Sequence, residues 1–308
     1  MLFTPSRRAR IAALALALGA CALPAHADLS SVRSVLAERL KAKNMPFSPS
    51  SVQETLITGL YRMDTGPGQA VLFVNDAVTL MLITDNVTVT EWSQPVRDPQ
   101  PISQEEKTEL LKEMMRNIRF DKLIKIDQGN AKNKLLLVSA YDCPYCIKFE
   151  RMLNTAGSKV DASVYVLPST LNPKENARAS TVRNIWCARD NANIWRKTLV
   201  NGSGGYFNLP GSSCDLGVQQ SADLQLLMRT LYGRDGYPSM IFANGVKTTP
   251  GQDWATFEQQ MRQTSDSDFW GEPNPQKYAQ FRAEAAAASS TVVNPLNSLF
   301  KRFGIKNK

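Results

Sequence analysis

The apolar run Leu135-Leu136-Leu137-Val138, followed by Tyr141-Asp142-Cys143-Pro144-Tyr145-Cys146-Ile147-Lys148-Phe149-Glu150, decides the fold. The run has the length and composition of a buried strand. Phe149, Met152 and Leu153 then continue with a helical period. A Cys-x-x-Cys at this junction puts Cys143 at the front of a helix, where unpaired N–H groups and the positive end of the macrodipole stabilise a thiolate. Cys146, one turn on, can attack a mixed disulfide formed at Cys143. Thiol–disulfide exchange needs that combination of nucleophile and resolving thiol. Half a zinc site has the same spacing, but it needs a second pair or histidines nearby. The chain has one histidine, His26, in a segment read below as removed, and no second Cys-x-x-Cys. Two inert core cysteines fit poorly with Asp142 and Pro144 beside them. The reading is a redox pair, with no metal and no cofactor beyond the dithiol itself.

The 308 residues suffice for two domains and a large core. Residues 1–27 read as a signal peptide: Arg7, Arg8 and Arg10, an Ala/Leu run, Pro24, and Ala25-His26-Ala27 as the cleavage site. The run is too short for a permanent membrane helix. Leu18-Gly19-Ala20-Cys21 resembles a lipoprotein box, so a form anchored through Cys21 is the alternative to soluble export. Cleavage removes three of the 36 basic residues and none of the 28 acidic ones, taking the net charge from +8 to +5. Without interleaved aromatics this mild charge gives no support to nucleic-acid binding. Cys143, Cys146, Cys187 and Cys214 remain, and an even count in an exported chain points to an oxidising compartment. If Cys143 pairs with Cys146, the other two are left for each other. Closing that loop is worth roughly 3–4 kcal/mol on the chain-entropy model, and the pair reads as structural.

Along the chain, residues 30–43 form an amphipathic helix with Ser30 or Ser31 as N-cap. Strands follow at 52–60, 70–75, 78–84 and 87–92, broken by turn formers. One helix on a small antiparallel sheet has a thin core, so residues 28–98 are read as a dimerisation domain. Ser103-Gln104-Glu105-Glu106 is a capping box, and 99–121 is read as a linker helix fixing the separation of two domains. Residues 122–266 alternate strand and helix. In this reading, 123–127 forms a hairpin with 134–139 through Gly129-Asn130, and 162–167 is a further strand. A helical insertion occupies about 169–230. Gly236-Tyr237-Pro238 leads into another strand, with Asn244-Gly245 as its hairpin turn, and a last helix carries Trp254, Phe257 and Met261. Pro238 is expected to be cis and opposite the cysteines, where the extended residue before it offers its backbone to a substrate peptide. Residues 267–308 are a compositionally separate tail ending in basic residues.

These features resemble the DsbC/DsbG family of bacterial periplasmic disulfide isomerases. Cys143-Pro144-Tyr145-Cys146, Ile185-Trp186-Cys187-Ala188-Arg189-Asp190, Ser213-Cys214-Asp215 and Gly236-Tyr237-Pro238 carry the likeness. The Trp-Cys-Ala segment discriminates more than Cys-x-x-Cys does. The resemblance implies an α+β and α/β chain with a small cystatin-like N-terminal dimerisation domain, a linker helix, and a C-terminal thioredoxin fold with a helical insertion. It also implies a Cys187–Cys214 structural disulfide and catalysis by Cys143 and Cys146. Pro144, Tyr145, Tyr237 and Pro238 are expected to contact substrate. Implied partners are misoxidised exported clients, a second copy of the chain, and an inner-membrane electron donor of the DsbD type. Two residues depart from the pattern. Tyr237 stands where the family usually has Thr, and a bulky ring there is expected to fill the peptide groove. Asp142 abuts Cys143, where a nearby negative charge disfavours the thiolate. Two rival functions stand beside isomerisation or reduction of wrong disulfides. One is a net oxidant or sulfenic-acid reductant; the other is a chaperone or assembly factor of a secretion or conjugation apparatus.

Overall fold

The computed structural model describes residues 28–41, 48–64, 71–76, 80–83, 88–91, 114–202, 214–232, 236–242, 247–250 and 253–262. The leader at 1–27, the capping box at 103–106, the turn Asn244-Gly245 and the tail at 267–308 lie outside them. Among the described residues no helix is long and apolar enough to cross a membrane.

Helix α1 (Leu29–Lys41) buries Val32, Leu36 and Leu40 along one stripe. Its cap is Asp28 rather than either serine: the carboxylate accepts the Ser31 N–H at 2.7 Å and the Ser30 hydroxyl at 2.7 Å. The strand read at 52–60 is two strands. β1 (Val52–Glu54) and β2 (Leu60–Asp64) are joined by a turn that Thr55 closes, its hydroxyl donating to the Leu60 carbonyl at 2.8 Å. With β3 (Val71–Asn75), β4 (Leu80–Ile83) and β5 (Thr88–Glu91) they form an antiparallel meander in sequence order.

The second sheet has the order β10-β9-β7-β8-β6. Its strands are β6 (Ile124–Gln128), β7 (Asn133–Ala140), β8 (Ala162–Ser169), β9 (Ser239–Phe242) and β10 (Lys247–Thr248). The expected β6–β7 hairpin does not form: β6 pairs antiparallel with β8, and β7 lies between β8 and β9. Burial explains the order. β6 alternates, burying Ile124, Ile126 and Gln128 while Lys125 and Asp127 face water, which suits an edge; β7 is buried on both faces from Leu135 onward, which suits the centre. The intervening turn serves β8 instead. The Asn130 N–H donates to the Asp161 carboxylate at 2.8 Å, and Gly129, at φ +61°, passes so close that a Cβ would meet the Ser158 carbonyl at 2.5 Å.

Helix α2 (Pro144–Ala156) follows β7. Helices α3 (Asn176–Trp186), α4 (Asn191–Asn201) and α5 (Val218–Tyr232) form the insertion between β8 and β9, and α6 (Trp254–Arg262) comes last. This is a thioredoxin-like core with a helical insertion. Phe149 of α2 meets Phe257 of α6 edge to face at 5.3 Å, both buried; each ring contributes about 2–3 kcal/mol by leaving water. Met114, Met115 and Ile118 join one apolar cluster with Leu56, Ile57 and Phe73 of the first module and with the core of the second. Backbone bonds from Thr58 N–H to Asn117 and from Arg119 N–H to Leu56, both 2.8 Å, stitch that junction.

Candidate active site

Cys143 is the extended N-cap residue of α2, at φ −91° and ψ 122°, and Pro144 follows at the first helical position, where its missing N–H costs nothing. Both Cys143 and Cys146 are free thiols. The Cys143 thiol is 4% exposed and donates to the Tyr237 carbonyl at 3.7 Å; the Tyr237-Pro238 peptide is cis, as read from the sequence. Pro144 and Tyr145 are exposed beside it, Tyr145 at 64%. The residues singled out from the sequence therefore converge on one spot: the two free thiols Cys143 and Cys146, the exposed Pro144 and Tyr145, and the backbone before Pro238.

Cys146 is fully buried behind Cys143, and burial pushes its thiol up to about 12. Two groups oppose that rise. The Ala140 N–H donates to its sulfur at 3.3 Å, and the Ser139 hydroxyl, buried and otherwise without a hydrogen-bond partner, favours its thiolate. Burial thus favours the protonated Cys146 thiol, and the two donors favour its anion.

Asp142 does not turn towards the sulfur. Its carboxylate accepts from Thr170 Oγ1 at 2.7 Å, the Leu171 N–H at 2.8 Å and Arg178 Nη1 at 2.6 Å. Its charge is spent tying the loop before Cys143 to the insertion, and Arg178 balances it. The Tyr237 ring is half-buried, and its phenol lies between Ser169 at 2.9 Å and Gln225, so the hydroxyl points into the protein. Burial raises the phenol, against the two hydrogen bonds.

Cys187 and Cys214 form a disulfide with Cα atoms 5.7 Å apart, joining the end of α3 to the segment before α5. They lie in the insertion, away from the free thiols in sequence and bonding. Sequence reasoning missed Ser139, Ser169, Arg178, Gln225 and Glu150. Glu150 carried a legible signal: an acid on the apolar face of α2, one turn beyond Cys146. It is fully buried, accepts from Trp195 Nε1 at 2.8 Å, and is raised by that burial. Ser169, Arg178 and Gln225 carried none, because the residues they meet at the site, Tyr237 and Asp142, lie on separate elements; Ser139, seven residues before Cys146, sits in an apolar strand whose sequence does not say which face it presents. Among the described residues no group of three or more His, Cys, Asp or Glu is placed to hold a metal ion.

No protein-family model matches the chain. Among curated proteins it is 26% identical over 185 residues to the probable thiol:disulfide interchange protein DsbC of Bordetella parapertussis, and equally to that of Bordetella bronchiseptica. The match covers 58% of this chain and 60% of each relative. The chain is similar in sequence to these DsbC proteins over that span. It spans only about 60% of the length of these DsbC relatives. Among solved structures, a disulfide interchange protein from Neisseria gonorrhoeae is 26% identical, at a TM-score of 0.40, over 48% of this chain and 99% of that one. The catalytic domain of Proteus mirabilis ScsC is 18% identical, at a TM-score of 0.38, over 52% and 98%.

Proposed function

We propose that the protein is a thiol:disulfide interchange enzyme that isomerises or reduces incorrect disulfides in exported proteins. The observation that carries this reading is the reduced Cys143 thiol at the head of α2, facing the Tyr237 carbonyl beside Pro238, with Cys146 behind it. The likeness to proteins named for thiol:disulfide interchange supports it.

In the proposed cycle the Cys143 thiolate attacks one sulfur of a client disulfide. A Cys143–client S–S bond forms, the client bond breaks, and the departing client thiolate takes a proton from solvent. The Tyr237 backbone and the exposed Pro144 and Tyr145 hold the client chain. Where a second client thiolate attacks the client sulfur of the mixed disulfide, a new client disulfide forms and Cys143 leaves as the thiolate, which is isomerisation; where Cys146 attacks the Cys143 sulfur instead, a Cys143–Cys146 disulfide forms and the client sulfur leaves to take up a proton, which is reduction. As Cys146 loses its proton, the Ala140 N–H and Ser139 hydroxyl stabilise the sulfur. An inner-membrane donor of the DsbD type then supplies two electrons to restore the dithiol. The location is the periplasm, where Cys187–Cys214 persists as a structural bridge.

The division into residues 28–98, 99–121 and 122–266 belongs to the same proposal, with the N-terminal module pairing two copies of the chain. Refolding of scrambled ribonuclease, run beside a glutathione titration of the Cys143–Cys146 couple, tests the assignment. An isomerase restores activity to the scrambled substrate from its reduced form. A chain that exchanges no disulfide in either assay contradicts the proposal.

A further inference from the structure

We propose that Gln225, in the helical insertion, is a positioning residue for the exchange reaction, acting on Cys143 through Tyr237. The inference rests on the exchange function proposed above. Gln225 is far from Cys143 in sequence and sits half-buried on α5. Its Nε2 donates to Ser221 Oγ one turn earlier at 2.9 Å and to Ser169 Oγ at 3.2 Å, while its Oε1 accepts the Tyr237 phenol. Both amide hydrogens and the carbonyl are therefore engaged, which fixes the orientation of the side chain.

Ser169 closes the bracket. Its hydroxyl meets the Tyr237 phenol at 2.9 Å, and its backbone carbonyl accepts the Tyr141 N–H at 3.0 Å in the loop leading to Cys143. Tyr237 is held at its hydroxyl by α5 and the end of β8, and its carbonyl receives the Cys143 thiol at 3.7 Å. A threonine at this position could not span the distance to α5. Burial keeps the phenol protonated, so it remains a donor through the working pH range.

The consequence is energetic. The Cys143 S–H···O=C contact exists only in the dithiol state, so holding the carbonyl in place favours the reduced couple over its disulfide. Releasing Tyr237 at its phenol end loosens the carbonyl and removes part of that preference.

The test compares the full chain with Gln225→Leu, Tyr237→Phe and the double variant in a glutathione titration of the Cys143–Cys146 couple, with a thermal melt of each. Each single change is expected to raise the equilibrium constant for disulfide formation at least threefold, and the double variant should equal the singles, because both cut the same link. Gln225→Glu, which keeps the acceptor for the phenol, should recover most of the difference. Unchanged constants in both singles, effects that multiply in the double variant, or a lowered melting temperature alone would each overturn the proposal. If the unaltered chain forms no Cys143–Cys146 disulfide with glutathione, the exchange function itself fails and the bracket falls with it. If it does form one and the variants match it, only the role of Gln225 is lost.

Discussion

Cys146 shows how a single burial sets chemistry. A thiol displaced from water holds its proton tightly, and the raised value of about 12 follows from burial first, with the Ala140 N–H and Ser139 hydroxyl working against it. In a Cys143→Ala variant, Cys146 should resist iodoacetamide at pH 8 until denaturant opens the fold; rapid labelling of the folded variant would refute the sealed geometry. The same burial links stability to pH. Between the ordinary thiol value near 9 and about 12, the folded chain keeps a proton that the unfolded chain has lost. Stability of the dithiol form should therefore fall as pH rises through that window. The disulfide form, which has no such proton, should fall less. Urea midpoints of the two redox forms at pH 8 and pH 10 measure the difference.

At the scale of elements, α2 is held by partners that differ in how visible they were. The β7-to-α2 junction was readable because everything that makes it lies within the nineteen consecutive residues Leu135–Leu153: a buried run, a Pro at the first helical position, and apolar residues at helical spacing. The neighbour of β7 was not readable as a short hairpin, since strand order depends on which edges stay wet, and that is decided across the whole sheet. Nor was the link from α2 to α4, where the Trp195 indole donates to buried Glu150 across 45 residues of sequence. Burial raises the Glu150 carboxyl, against the Trp195 hydrogen bond and the Arg196 charge. Glu150→Gln should be nearly neutral in urea unfolding at pH 7, because it keeps the acceptor without a buried charge. Glu150→Ala should cost about 2 kcal/mol more, the penalty for an unpaired buried indole N–H plus a cavity. Equal costs would show that the hydrogen bond is not what anchors α2. The insertion has its own staple. Replacing Cys187 and Cys214 together by alanine should lower stability by about 3 kcal/mol on the loop-entropy account, read from urea midpoints.

Across the whole molecule, the first sheet and the insertion meet through charge. Arg62 of β2 lies 3.1 Å from Asp223 of α5, an ion-pair approach with both side chains at most 10% exposed. Burial lifts Asp223 to about 6 despite the facing guanidinium, so desolvation outweighs the attraction. This contact was invisible in the sequence, where residues 99–121 read as a spacer and neither Arg62 nor Asp223 belonged to a motif. Breaking one half should be worse than removing both. Arg62→Met or Asp223→Leu alone should cost about 3 kcal/mol, and the double variant should return towards the parent in a urea double-mutant cycle. Additive losses would show that the two charges act independently. The account as a whole depends on Cys143 exchanging bonds with sulfurs of other proteins. The most direct measurement is capture by a Cys146→Ala variant, which cannot resolve the intermediate. Incubated with scrambled ribonuclease, it should accumulate a covalent complex that dithiothreitol releases and that maps to Cys143 by mass spectrometry. No complex, or one joined through another cysteine, would contradict the central claim.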